Sequence, residues 1–122
     1  MSKVIGMYTH RGFIPCGESE AITSGFTFGE YSMNSLKKQG KYVIFNFYVG
    51  ISGSCTNGAD ITFPVGYAPK ENVAAYMRIK QTGILPTLGE DCLINITPQG
   101  ITLPDEAIGK EISLYNIGWE TE

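Results

Sequence analysis

The residues able to make or break bonds are few in this 122-residue chain: one histidine, His10, three cysteines (Cys16, Cys55, Cys92) and two adjacent acid pairs, Glu90-Asp91 and Asp105-Glu106. A histidine-dependent acid–base step would have to centre on His10. That residue sits between Thr9 and Arg11. Its separation from Cys16 matches no activating pattern for a thiol nucleophile. The acid pairs are the raw material of a glycoside hydrolase, which needs two carboxylates facing one bond. Adjacent residues on a strand point to opposite faces, so neither pair forms a couple by itself. Zinc would require His10 to converge with two cysteines, and neither a calcium-loop spacing nor a phosphate-cradling Gly-Lys loop is present. No catalytic, metal or cofactor-binding residue is predicted, and no cofactor.

Aromatic and amide side chains are the richer resource. Tyr31, Tyr42, Tyr48, Tyr76, Tyr115 and Trp119 exceed the needs of a small core. A saccharide site wants a flat ring for the sugar's apolar face and polar groups for its hydroxyls. Trp119 with Tyr115 or Asn116 meets that description, and Tyr76 and Tyr67 are further candidates. By position, the loops at 52–58 and 84–90 are binding candidates too, because loops on a rigid β scaffold often carry recognition.

The elements that position these residues are read from pattern. Glycine (15) and proline (6) are abundant, and charged residues are only 17%. That load suits many turns and few long helices. The strongest strand signal is Lys41 to Ile51. There Val43, Phe45, Phe47 and Val49 form a wholly apolar set that should face the core, alternating with Tyr42, Ile44, Asn46 and Tyr48. The second set suits a half-exposed face or an inter-subunit contact. Further strands are expected at Met1–Gly6, around Phe26 to Met33, and at Ala59–Phe63, which must stop at Pro64. Val73–Lys80, Cys92–Thr97, Ile101–Leu103 and Glu111–Trp119 complete the set. On the last, Ile112, Leu114 and Asn116 should share one face. Leu36–Gly40 and Ser52–Gly58 read as turn and loop. Pro98-Gln99-Gly100 reads as the tight loop of a hairpin. Cys92 is expected to be a buried free thiol, and Cys55 to lie in a loop.

Seven or eight short strands without βαβ spacing predict an all-β fold, a small antiparallel sandwich or barrel of jelly-roll-like kind. Residues 1–19 read as an N-terminal arm or connector, and 20–122 as a β head domain. The net charge of −3 argues against nucleic acid or anionic membrane as main partner. No apolar run reaches membrane-spanning length, so no membrane insertion is expected.

The segment from about Phe26 to Glu120 resembles the C-terminal head domains of phage tail fibre and receptor-binding proteins. Gly40-Lys41-Tyr42-Val43 leads into a long alternating strand, as in that family. Ile61-Thr62-Phe63-Pro64-Val65-Gly66-Tyr67-Ala68-Pro69 is similar to its Leu-Pro-x-Gly-Tyr-Arg-Pro signature. Phe63 stands in place of the leucine and Ala68 in place of the arginine, which puts any contact of that arginine in doubt. Leu93 to Thr102 resembles its hairpin of alternating isoleucines around a glycine, and Ile112 to Trp119 its closing strand. The resemblance implies a non-enzymatic, homotrimeric head at the fibre tip of a virion, made in the host cytoplasm. It would recognise a host cell-surface saccharide or other receptor and contact other virion tail proteins. A structural fibre-capping or assembly module and a small glycan-active hydrolase are the alternative readings. The signature itself has a structural account: Pro64 ends a strand, Gly66 permits a conformation closed to larger residues, and Tyr67 lays its ring on the core.

Overall fold

A computed structural model describes residues 3–9, 12–81 and 89–122, with side chains from residue 17 onward. His10 and most of the 84–90 segment therefore lie outside the described residues, as does the side chain of Cys16. The fold is all-β. Ten strands are present among the described residues: β1 (Lys3–Thr9), β2 (Gly12–Ser19), β3 (Ile22–Thr27), β4 (Met33–Gln39), β5 (Tyr42–Tyr48), β6 (Ser54–Thr62), β7 (Val73–Lys80), β8 (Glu90–Ile96), β9 (Ile101–Thr102) and β10 (Glu111–Glu120). They form two antiparallel sheets, one in the order β1-β2-β4-β5-β10-β7-β8 and the other β3-β6-β9. The two face each other as a sandwich of unequal layers, and neither closes into a barrel.

The alternation in β5 explains the packing. Val43, Phe45 and Phe47 are fully buried, while Tyr42 and Ile44 on the opposite face are exposed. The inward set meets Leu36 of β4, Leu114 and Trp119 of β10, and Cys55, Ala59 and Ile61 of β6 in one continuous core. Each fully buried large apolar side chain contributes about 1.5–3 kcal/mol. The rings interlock: Phe45 lies edge-on to Phe63 at 5.7 Å, and Phe63 lies 5.0 Å from Trp119. Edge-to-face contacts of this kind add about 0.5–1.5 kcal/mol beyond area burial.

Several local expectations are corrected. Met33–Gln39 is a strand and not part of a turn. Its inward face carries only one apolar residue, Leu36, so the apolar pattern is weak. The polar inward neighbours are satisfied instead. The Asn34 side chain exchanges two hydrogen bonds with the Ala21 backbone at 2.8 and 2.9 Å. Lys38 donates to the Gly66 carbonyl and lies 5.6 Å from the Tyr67 ring centre. Residues 54–58 are likewise strand and not loop, since Ser54 and Cys55 pair with Thr27 and Phe26. Asn57-Gly58 makes an irregularity inside β6, with Gly58 at φ +82°, rather than a reversal of the chain.

Cys55 is buried and donates to the Ala107 carbonyl at 2.8 Å. Cys92 is only partly buried, so the expected locations of these two thiols are reversed; both are free. The Pro98-Gln99 turn is closed by mutual Thr97–Gly100 backbone bonds of 3.0 and 2.9 Å. It does not make a hairpin, because β9 leaves β8 and pairs with β6 of the other sheet. Gly100, at φ +118°, lies against the Ile61 carbonyl where a Cβ would collide. Only glycine fits that crossing between layers.

The Pro64–Tyr67 segment is a type II turn: Tyr67 N–H donates to the Pro64 carbonyl at 3.0 Å, and Gly66 sits at φ +89°. β1 and β2 pair antiparallel, and β2 pairs with β4 from Cys16–Gln39 to Ser19–Leu36.

Candidate functional site

The outward face of the seven-stranded sheet carries the site. Antiparallel register aligns Tyr48, Ser113 and Arg78 in one row across β5, β10 and β7. One step along, Glu111 is paired with Lys80. Period-2 alternation puts all five side chains on this face. Together with Tyr115 they line a cleft of about 250 Å³.

A bulge in β10 shapes that cleft. Leu114 pairs with Phe47 but the next pair is Ile117 with Phe45, so two residues of β10, Tyr115 and Asn116, oppose one of β5, Asn46. Asn116 absorbs the extra residue at φ +51°. Asparagine tolerates this left-handed conformation better than most side chains. Its N–H donates to the Asn46 side-chain oxygen at 2.9 Å, which locks the bulge onto β5. Pairing of β10 with β7 ends at Ser113–Arg78, just before the bulge. Bulges re-aim side chains and end ladders in this way. Here the result is a tyrosine, Tyr115, standing at 52% exposure on the cleft wall.

The cleft floor is electrostatically unusual. Glu111 is only 1% exposed. Its Oε1 accepts a hydrogen bond of 2.9 Å from the Tyr48 hydroxyl. Its Oε2 accepts none, and lies 3.9 Å from the Lys80 ammonium. Burial, and then the bond to Glu111, push the Tyr48 hydroxyl up to about 12. Tyr48 therefore remains a proton donor throughout the neutral range. Among the described residues Arg78 makes one long ion pair, 3.9 Å from Asp91, with both side chains more than half exposed. Such a pair contributes little and leaves most of the guanidinium donors for other partners.

Comparison with protein family models, with curated proteins and with solved structures finds no match to this chain. The reading of the site thus rests on its own chemistry.

Of the residues singled out from sequence, Tyr115 lines the cleft and Asn116 holds the bulge beside it. Tyr76, 65% exposed, stands on the same outward face of β7, two residues before Arg78. Trp119 and Tyr67 are elsewhere. They are 3% and 4% exposed, and the indole N–H donates to the Tyr67 carbonyl at 2.8 Å. Tyr67 also covers Gly17, where a Cβ would strike its hydroxyl. These two rings brace the core and the type II turn, which removes them from any ligand-facing surface. Asn116 does not share a face with Ile112 and Leu114, because the bulge turns it outward. Glu111, Arg78 and Lys80 are functional candidates absent from the sequence analysis, and Tyr48, one of its surplus aromatics, joins them in the cleft. Arg78 and Lys80 could have been found by alternation from Tyr76. Glu111 could not, since an acid beside Gly109-Lys110 reads as a solvated turn.

A second cavity, of about 640 Å³, brings Glu90, Asp91 and Glu106 together with Lys80, Lys110 and Cys92. All three acids are exposed. Members of both acid pairs thus meet at one cavity, but no aromatic ring lines it. Among the described residues, no group of three or more histidine, cysteine or acid side chains is arranged to hold a metal ion.

Proposed function

We propose that this chain is a non-enzymatic receptor-binding head of a phage tail fibre, which recognises a host cell-surface saccharide in the cleft between β5, β10 and β7. The observation that carries the reading is Tyr115, a half-exposed ring set by the bulge beside a polar cleft. A sugar's apolar face stacks on such a ring, and its hydroxyls find the Tyr48 and Ser113 hydroxyls and the Arg78 and Lys80 donors. The resemblance of the Pro64–Pro69 sequence to the signature of tail fibre heads supports the same class. In this reading the head works as a homotrimer at the fibre tip of a virion.

The test is a glycan array of bacterial-surface saccharides probed with the wild-type chain and Tyr115→Ala. Loss of signal in a variant with unchanged thermal unfolding is the expected result. A wild-type signal from the folded variant rejects the reading.

Two other readings each have one observation in their favour. Met33, Tyr42 and Ile44 are 43%, 51% and 41% exposed on the outward face, which suits an assembly module that docks a partner. The meeting of Glu90 and Glu106 at one cavity suits a glycan hydrolase. Against that, a general acid of such enzymes is enclosed in apolar surroundings, and these carboxylates are open to water. Hydrolysis of an array glycan that is abolished by Glu106→Gln would favour the enzyme.

A further inference from the structure

The geometry points to an acidic sugar, one carrying a carboxylate or phosphate group, as the ligand of the β5–β10–β7 cleft; this rests on the saccharide reading above. The cleft's one lining carboxylate, Glu111, is withdrawn from the surface at 1% exposure, with Oε1 engaged by Tyr48 and Oε2 turned toward Lys80. The cationic groups are not withdrawn. The Arg78 side chain is 54% exposed and that of Lys80 33%. An approaching ligand therefore meets two cations and a tyrosine ring, with the acid beneath them.

Each cation faces one carboxylate at 3.9 Å, Lys80 the buried Glu111 and Arg78 the exposed Asp91, so the cleft is balanced in charge and it is the length of both pairings that leaves the cations open to a further anion. A neutral sugar would leave Arg78 with only its long contact to Asp91. An anionic group offers the guanidinium fork a bidentate partner and gives the half-engaged Lys80 a second counter-charge. The buried Glu111 has a positioning part. By attracting the Lys80 ammonium at 3.9 Å and fixing the Tyr48 hydroxyl, it holds both at the cleft floor. The Tyr115 ring then takes the sugar's apolar face while the acidic substituent lies toward Arg78 and Lys80.

The experiment measures affinity by calorimetry for three probes: trigalacturonic acid, its neutral counterpart galactotriose, and glucose 6-phosphate. It is accompanied by an array printed with uronate-bearing, phosphate-bearing and neutral oligosaccharides. Acidic members are expected to bind at least about tenfold more tightly than matched neutral ones, the gain of one charge-assisted bidentate contact. Preference for the uronate over the phosphate, or the reverse, identifies which acidic group is recognised. Arg78→Gln, a change at an exposed position, should remove that preference without altering thermal unfolding. Lys37→Gln, an equal change of charge at an exposed site on β4, should retain it. Lys80→Arg, which keeps a cation over Glu111, guards against a folding defect and should preserve the preference. Neutral glycans binding as tightly as acidic ones, with both lost in Tyr115→Ala, would overturn the acidic assignment and leave the saccharide reading standing. Equal loss in Arg78→Gln and Lys37→Gln would also overturn it, since that is a bulk charge effect. Absence of signal from every array member would overturn both.

Discussion

Glu111 and Trp119 show how residue identity and residue role separate in this molecule. Trp119 is the only tryptophan, and its indole contributes apolar area, ring contacts and one buried hydrogen bond to Tyr67. Trp119→Ala should cost about 3–5 kcal/mol of stability, the usual range for emptying a buried aromatic site. Trp119→Phe keeps most of the packing and leaves the Tyr67 carbonyl without its donor, at a cost of about 1–3 kcal/mol. Urea denaturation checks both values, and a loss below 1 kcal/mol for the alanine variant would place the indole outside the core. Glu111 is the opposite case, a buried acid whose Oε2 accepts no hydrogen bond among the described residues and faces the Lys80 ammonium at 3.9 Å. Its partner Tyr48 gives a pH signature. The Tyr48 hydroxyl is raised from 10.0 in the unfolded chain to about 12 in the fold. A raised value means that the folded state holds its proton longer. The associated stability is therefore complete below pH 10 and is lost as pH rises toward 12. Tyr48→Phe should flatten that part of the alkaline stability profile, measured by denaturation at fixed pH steps.

At the scale of elements, the bulge in β10 decides where the site is. A regular β10 would keep Asn116 on the inward face with Ile112 and Leu114, as simple alternation predicts. The extra residue instead turns Asn116 outward, ends the pairing with β7 and restores Trp119 to the core. Asn116→Ala keeps a β-carbon in the left-handed region but removes the short polar side chain that makes this conformation tolerable, and should cost about 1–2 kcal/mol. Asn116→Gly should be close to neutral, because the bond to Asn46 uses the backbone N–H. Chemical denaturation of the two variants gives the comparison. An equal loss in both would mean that the asparagine side chain, and not the backbone conformation, secures the bulge.

The same element shows what was legible in the sequence. β5, β7 and β8 follow from alternation, because their inward residues are consistently apolar. β4 was hidden, because Asn34 and Lys38 face inward through hydrogen bonds that only tertiary structure supplies. Asn57-Gly58 reads from sequence as part of a loop and Pro98-Gln99-Gly100 as the loop of a hairpin, and the structure corrects both. What they do, an irregularity in one strand and a crossing between layers, depends on partners distant in the chain. Tyr115 was legible as a candidate by type. Its cleft was not, because Tyr48, Arg78 and Glu111 lie on three strands whose order in the sheet is not sequential.

For the whole molecule, the seven-stranded sheet leaves an outward face with large side chains in water. Tyr42 lies across Gly118 of β10, where a Cβ would meet its ring, yet remains 51% exposed. Met33 and Ile44 extend that apolar strip. A homotrimer built on this strip is the expected solution state. Sedimentation equilibrium should give three times the 13.3 kDa chain mass, and Ile44→Asp should reduce it to the monomer. A concentration-independent monomer in the wild type would exclude that arrangement.

The same face holds the cleft, where Tyr115 and its neighbours form the proposed recognition site. Titration of the isotopically labelled protein with uronate-bearing oligosaccharides, followed by amide NMR shifts, tests this most directly. Shifts should concentrate at residues 76–80 and 111–116 and at Tyr48, across β10 from Arg78. Perturbations gathered on β3, β6 and β9, while those segments stay unmoved, would contradict the account.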